Sequence, residues 1–204
     1  MKIFSFILLF AFCNSYSQQL FKIISTETET EEASYFIVDK NNKVIKELDK
    51  SNYIFSPVLN TYGYFAITLK KGGGPGWAAI DINENVLFYV YNVANGEPYP
   101  DRLIENKIRI IDQNNKIGFA NQNGKIIIEP QFEMASSFHN GKAIIAQKCK
   151  KVPWSDKKHE GDCEHYSIEC TYHGYIDEKG TILKFGTFSF EEMAQEINWE
   201  YVEE

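Results

Sequence analysis

Four stretches of this chain align without gaps: Tyr35 to Ile45, Trp77 to Leu87, Ile117 to Ile127 and His173 to Leu183. Each is a short β-prone run, a polar turn with Asn or Gly where a positive φ is needed, and a second β-prone run, which is the pattern of a β-hairpin. One such pattern says little. Four of them, starting 42, 40 and 56 residues apart, make a repeat, and a repeat restricts the chain to architectures in which like units stack on one another. Further strand-like runs lie between them, at Tyr53 to Phe55, Tyr62 to Leu69, Val86 to Val93, Ile108 to Asp112 and Ala143 to Gln147, separated by Gly, Pro and Asn. The expectation is an all-β protein of consecutive antiparallel β-hairpins stacked as an array, with units near 35, 77, 117 and 173.

Helical periodicity is nearly absent until the end of the chain. There Ser189 precedes Phe190-Glu191-Glu192, a capping-box arrangement that predicts a helix from about Phe190 to Glu200. Met193, Ile197 and Tyr201 fall on one face of it, with Ala194 and Trp199 nearby. Residues 189–204 are therefore expected to be a short C-terminal helix that caps the array, because a stack of sheets must hide its last apolar face and edge strand. The hairpin domain is expected to span 18–188.

The first 17 residues read as an export signal. Met1-Lys2 supplies a positive end, Ile3 to Phe12 is uncharged and nearly continuously apolar, and Ser15 and Ser17 place small residues before a cleavage site at Gln18. The run is short for a retained membrane anchor, and no later stretch approaches the roughly 20 apolar residues of a spanning helix. Cys13 offers the alternative of a lipid-modified N-terminus, but Phe12 occupies the place where a lipobox needs a small residue. The mature chain is expected to be exported, periplasmic or extracellular, in a space that permits disulfides. It carries 28 Asp and Glu against 21 Lys and Arg, a net charge of −7 for the whole sequence, which speaks against nucleic acid as a partner.

The third unit resembles a known family. Lys116-Ile117-Gly118-Phe119, then Asn123-Gly124-Lys125-Ile126-Ile127-Ile128-Glu129-Pro130-Gln131-Phe132, then Ala135, Phe138, Asn140-Gly141 and Ala143 are similar to a WG repeat of the kind found in bacterial envelope and secreted proteins. His173-Gly174-Tyr175-Ile176-Asp177 to Leu183 resembles the front half of another, and positions 35 to 112 share only the rhythm. The namesake Trp is Ile117 in one repeat and His173 in the other, while Trp77 keeps the aromatic but is followed by Ala78. The resemblance implies stacked β-hairpins and little about activity.

The chemistry-bearing residues crowd into an insertion at 148–172, which also accounts for the longest spacing between units. A zinc site there would draw on Cys163, His165, Cys170 and His173, but the spacing fits no standard ligand pattern and exported thiols tend to oxidise. No metal and no cofactor are expected. Cys149, Cys163 and Cys170 allow one disulfide in three pairings. If the strand ending near Cys149 pairs with one beginning near Ser167, Cys149 with Cys170 is favoured over Cys149 with Cys163. Lys150, Lys151, Lys157 and Lys158 surround Trp154 in the same segment, with Lys148 just before them. Long tethered insertions in repeats frequently carry binding, so these residues are candidates for recognising an anionic polymer or an acidic envelope protein. A solvated loop is the plainer reading, and self-association with the acidic C-terminal residues is a third.

No G-x-S-x-G, H-E-x-x-H, EF-hand or Walker sequence is present. The Gly72-to-Gly76 stretch lacks the following Lys-Ser or Lys-Thr of a phosphate loop and reads as a hairpin connection. Carboxylates such as Asp81 with Glu84 and Asp177 with Glu178 fall at turns, where Asp satisfies local backbone donors. The expectation is a noncatalytic binding module of the cell envelope or exterior. The alternative is a hydrolase acting on envelope polymers, which would need carboxylates or His converging in a cleft.

Overall fold

A computed structural model of the protein describes residues 19–28, 31–54, 61–71, 73–95, 97–153 and 166–200. The export segment, including Cys13 and the site after Ser17, lies outside the described residues. The first unit consists of β1 (Phe21–Thr28), β2 (Glu31–Asp39) and β3 (Val44–Glu47); the second of β4 (Tyr53–Ile54), β5 (Ala66–Lys70), β6 (Trp77–Ile80) and β7 (Val86–Val90). A ribbon of β8 (Asn92–Asn95) and β9 (Glu97–Pro100) follows. The third unit has β10 (Lys107–Ile111), β11 (Ile117–Asn121) and β12 (Ile126–Phe132). The fourth has β13 (Met134–Ala135), β14 (Lys142–Pro153), β15 (Tyr166–Asp177) and β16 (Ile182–Gly186), and α1 (Phe190–Ile197) closes the described chain. All neighbouring strands are antiparallel. They form sheets ordered β1-β2-β3, β12-β11-β10-β7-β6-β5-β4 and β13-β14-β15-β16, with β8-β9 apart and no closed barrel.

The four hairpins are made by one device. At the first turn position stand Asp39, Asp81, Asn121 and Asp177, and in each case the side-chain Oδ1 accepts the backbone N–H groups two and four residues on, at 2.8–3.0 Å. The backbone then closes with the residue three positions on in the left-handed region: Asn42, Glu84, Gly124 and Gly180, with φ between 64° and 80°. This is the three-residue hairpin loop, in which a side chain imitates a backbone turn and a left-handed residue makes the bulge. The turn between β10 and β11 repeats it with Asp112 and Asn115. The connections ahead of β10 and β14 are instead two-residue loops, Glu105-Asn106 and Asn140-Gly141, with both residues at positive φ, as a type I′ turn requires.

Stacking follows from strand parity. Each unit turns alternate residues toward the unit before it and the unit after it, so the core is a series of clusters shared by neighbours. Ile23, Ile37 and Leu48 meet Tyr53, Ala66, Ala78 and Ile80 between the first and second units. Ile67, Trp77, Ala79 and Val90 meet Ile108, Ile110 and Ala120 between the second and third. Ile117, Phe119, Ile128 and Phe132 meet Phe138, Ala143, Ile145 and Ile176 between the third and fourth. The left-handed turn residue of each later unit sits on the second hairpin strand of the earlier one. Glu84 pairs with Lys46 at 2.5 Å and accepts the Tyr53 hydroxyl at 2.7 Å, and Gly180 lies so close to Ile128 that a Cβ there would stand 3.2 Å from its side chain. Two-residue loops also grip one another, the Glu105 carboxylate accepting the Asn140 and Gly141 N–H groups at 2.6 and 2.9 Å.

On the fourth unit the same face meets α1. Ile144 packs with Met193 and Ile197, and Tyr175, Phe188, Phe190 and Trp199 surround them. The positions that hold Ile117, Phe119 and Ile128 in the third unit hold His173, Tyr175 and Lys184 in the fourth. Glu196 of the helix accepts from Lys184 Nζ at 2.5 Å and from the Tyr175 hydroxyl at 3.1 Å, as Glu84 does from Lys46 and Tyr53. The helix thus occupies the place of a further turn on a face already made half polar.

Some boundaries differ from those expected. The capping box forms, with Glu192 N–H donating to Ser189 Oγ and Ser189 N–H to Glu192, but α1 stops at Ile197 because Asn198 turns left-handed, at φ 51°. Tyr201 is outside the described residues. The run from Tyr62 is broken by a turn at Gly63, φ 81°, so β5 starts at Ala66, and the run from Val86 divides at Tyr91 into β7 and β8. The insertion is strand at both described ends, through Pro153 and from Tyr166. Among the described strands β16 pairs only with β15, and its Ile182, Leu183 and Phe185 are exposed; the helix covers the sheet face and touches this edge strand through Lys184.

Candidate functional site

Beyond Lys148 and Thr171 the four-stranded sheet narrows to two strands, a β14–β15 arm. Its register continues unbroken in count from Lys142 opposite Asp177 to Pro153 opposite Tyr166. Cys149 lies directly opposite Cys170, and a disulfide joins them. That is the pairing favoured by the strand argument, and with its sulfur so engaged Cys170 has no thiolate to offer a metal.

A second fastening was not visible in the sequence. Lys148 is left-handed, at φ 54°, a strained state for a residue with a Cβ. The Glu133 carboxylate holds this kink, accepting the Cys149 N–H at 2.7 Å and Lys116 Nζ at 3.3 Å. Donation from the Cys149 N–H keeps the Glu133 carboxyl below the usual range, and Lys116 adds to this.

Of the cations singled out, Lys150 and Lys151 lie on β14 within the arm and are exposed; Trp154, Lys157, Lys158 and Cys163, with His159 and His165, lie outside the described residues. The two described lysines differ. Lys150 pairs with Glu169 at 3.3 Å, with both side chains largely in solvent. Lys151 Nζ stands 4.4 Å from the centre of the Tyr166 ring. Lys148 is likewise 5.0 Å from Tyr172, which tilts against Phe185. Cations placed over ring faces are weakly stabilised there while remaining open to an anion.

At the base of the arm a concavity of about 390 Å³ opens on the part of the end face that α1 leaves uncovered. Ile144, Ala146, Ile168, Cys170, Phe190 and Trp199 make it predominantly apolar, and Arg109, His173 and Glu191, with Ser136 and Ser137, supply its polar groups. Arg109 is fixed in place: two of its nitrogens reach Asp101 at 2.6 and 3.0 Å and a third donates to the Ala135 carbonyl at 3.1 Å. Trp199 Nε1 donates to the Ser137 carbonyl at 2.9 Å, which ties the chain after the helix to the rim. The His173 Nδ1 lies 2.8 Å from the Phe188 carbonyl oxygen. A carbonyl can only accept, so Nδ1 carries a proton, and in the neutral ring Nε2 is the acceptor. Glu191 is held below the usual carboxylate range by its own backbone N–H and by Ser189. Among the described residues no group of three or more His, Cys, Asp or Glu could hold a metal ion, and no helix is long and apolar enough to cross a membrane.

Residues 117–148, which run from β11 and β12 of the third unit through β13 and the start of β14 to the kink at the base of the arm, match the family model of the WG containing repeat. Among curated proteins none matches the chain.

Proposed function

From the premise that residues 117–148 are a WG containing repeat, we propose that the protein is a noncatalytic interaction module of the bacterial cell envelope or exterior, and that its β14–β15 arm captures an acidic partner, either a protein or an anionic polymer. The observation that carries this reading is the arm itself. The stacking of hairpins needs strands only about as long as β10 or β11, yet β14 and β15 run to twelve residues each and project a disulfide-fastened ribbon that presents Lys150 and Lys151. A preordered ribbon loses less entropy on binding than a free loop does. The disulfide also supports export, since such bonds persist outside the cytoplasm. The turn carboxylates Asp81 and Asp177 are occupied with backbone donors, which favours binding over hydrolysis.

The test is capture from envelope extract by the mature chain, compared with a variant in which Lys150, Lys151, Lys157 and Lys158 are Ser. The variant is expected to fold normally and to lose an acidic partner that the parent retains at low salt and releases at high salt. Equal capture by both would overturn the reading. Intact mass of protein recovered from the producing cell should begin at Gln18.

A further inference from the structure

The concavity and the arm form one continuous track. A regular β14–β15 ladder would put Ala146 and His173 on the opposite face from Cys170 and Ile168, because 173 and 170 differ in parity. All four nevertheless line the same concavity. The phase changes at Lys148, whose left-handed φ turns the ribbon over. Beyond it, the cross-strand pairs Cys149 with Cys170, Lys151 with Ile168, and Pro153 with Tyr166 share the face that continues the concavity, while Lys150, Glu169, Val152 and Ser167 take the other. Ile168 and Tyr166 are 42% and 40% exposed, an apolar strip leading out from Trp199 and Phe190. Lys151 stands on that strip with no carboxylate partner among the described residues. Lys150 is on the back, already paired with Glu169.

We propose that this track binds an extended polypeptide segment which seats a Trp or Tyr side chain in the concavity and sets a carboxylate on Lys151. The inference rests on the binding reading above and adds which face binds and what the partner presents. Continuity with the internal interfaces argues for polypeptide: the same face of the first three units is covered by side chains of the next unit, and α1 covers only part of it on the fourth. The His173 Nε2, an acceptor because Nδ1 donates to Phe188, favours a side chain with an N–H or O–H to give over Phe. The distance fixes the spacing. From Ala146 to Lys151 is five residues of strand, or about 17 Å at 3.3–3.4 Å per residue, so an extended ligand carries its carboxylate about five positions from the ring.

A random nonapeptide display library panned against the whole mature chain tests this, followed by affinity measurements on the enriched peptide with Lys151→Ser, Lys150→Ser and Ile168→Asp variants. Enriched sequences should carry Trp or Tyr with Asp or Glu four to six residues away. Lys151→Ser and Ile168→Asp should each weaken binding about tenfold or more, and Lys150→Ser less than about twofold, as a solvated pair contributes little. Melting and nonreducing peptide maps check that all three fold; should Ile168→Asp fail to fold, the two lysine variants decide. Equal losses from Lys150→Ser and Lys151→Ser, or no enrichment while acidic partners are still captured from extract, would overturn the track and leave the cationic-arm reading standing. No capture of acidic partners by the parent chain would remove both.

Discussion

Replacing Gly118 by Ala tests why this repeat needs glycine in the middle of a strand. From Phe119 opposite Ile128 to Ile117 opposite Phe132, two steps along β11 face four along β12. The surplus of two residues, at Glu129 to Gln131, bulges over Gly118. A Cβ there would stand 2.4 Å from the Ile128 carbonyl oxygen, 2.6 Å from Pro130 N and 2.8 Å from the Glu129 carbonyl carbon. All three are backbone atoms of one strand, so nothing can rotate aside, and relief requires β12 to move off β11 and off the Ile176 cluster behind it. Overpacking of this kind costs about 1–3 kcal/mol, and backbone rigidity puts the site at the upper end. Against this, removing a glycine from a strand gains roughly 0.5–1 kcal/mol. The net is about 2 kcal/mol, which for a chain of this size lowers the melting temperature by about 4–8 °C. Thermal unfolding of mature wild-type and Gly118→Ala protein by near-ultraviolet circular dichroism measures it. Gly141→Ala is the control: its φ is 71° but the nearest atom to a Cβ is 3.7 Å away, so it should lose only about 1 kcal/mol of backbone strain. A Gly118→Ala protein melting within about a degree of wild type would refute the steric account.

Other expectations concern the joints. Opening the Cys149–Cys170 bond by a double Ser substitution releases a loop with a sequence separation of 21, worth about 3.3 kcal/mol in the loop-closure model; urea unfolding checks this, with a slope equal to or steeper than that of the parent because the unfolded chain is less constrained. Met193→Ala, at a side chain 1% exposed against Ile144, should cost about 2–3 kcal/mol and lower solubility as the end face is uncovered. Burial alone would raise the Glu84 carboxyl, but Lys46 and Tyr53 together hold it below its ordinary value. Its stabilising share is therefore present above the unfolded value of about 4.3 and lost as pH falls below it. Stability of wild type should drop more steeply between about pH 5 and 3 than that of Glu84→Gln. Tyr53 is shifted upward by burial and then by Glu84, so its share is lost as pH rises above about 10, and a Tyr53→Phe variant should show a shallower alkaline decline.

The hairpins were legible because their information is local: an Asp or Asn that turns its own backbone, followed by Asn or Gly at positive φ, is written within five residues, although in the second unit Glu84 and not an Asn takes the left-handed place. The helix start was legible for the same reason, Ser189 and Glu192 being three apart. The stacking contacts were not. Glu84 to Lys46, Glu105 to the Asn140-Gly141 loop, and Glu133 to Cys149 join residues 16 to 38 positions apart, and nothing in the composition of either end marks the partner. The concavity was hidden for a further reason. It depends on a phase change at Lys148, and a lysine is among the residues least expected to be left-handed. The binding side of the arm could not be told from its back until that one dihedral was known, which is why Lys150 and Lys151 looked equivalent.

The one-way docking of each turn on the unit before it has a consequence for how the chain is made. Among the described residues each hydrophobic cluster is completed by the unit, or for the fourth unit the helix, that follows in sequence. A polypeptide made from its N-terminus can therefore bury its apolar surface in the order in which it emerges. At every intermediate length, though, the newest unit has one greasy face without a cover: after the third it is Ile117, Phe119, Ile128 and Phe132. The fourth unit is the first whose outward face carries His173, Tyr175 and Lys184, and Glu196 and Met193 then cover part of it. A chain cut short after an earlier unit is expected to keep that apolar face exposed and to be less soluble than the full chain, so the joints that hold the array together also set where it can end.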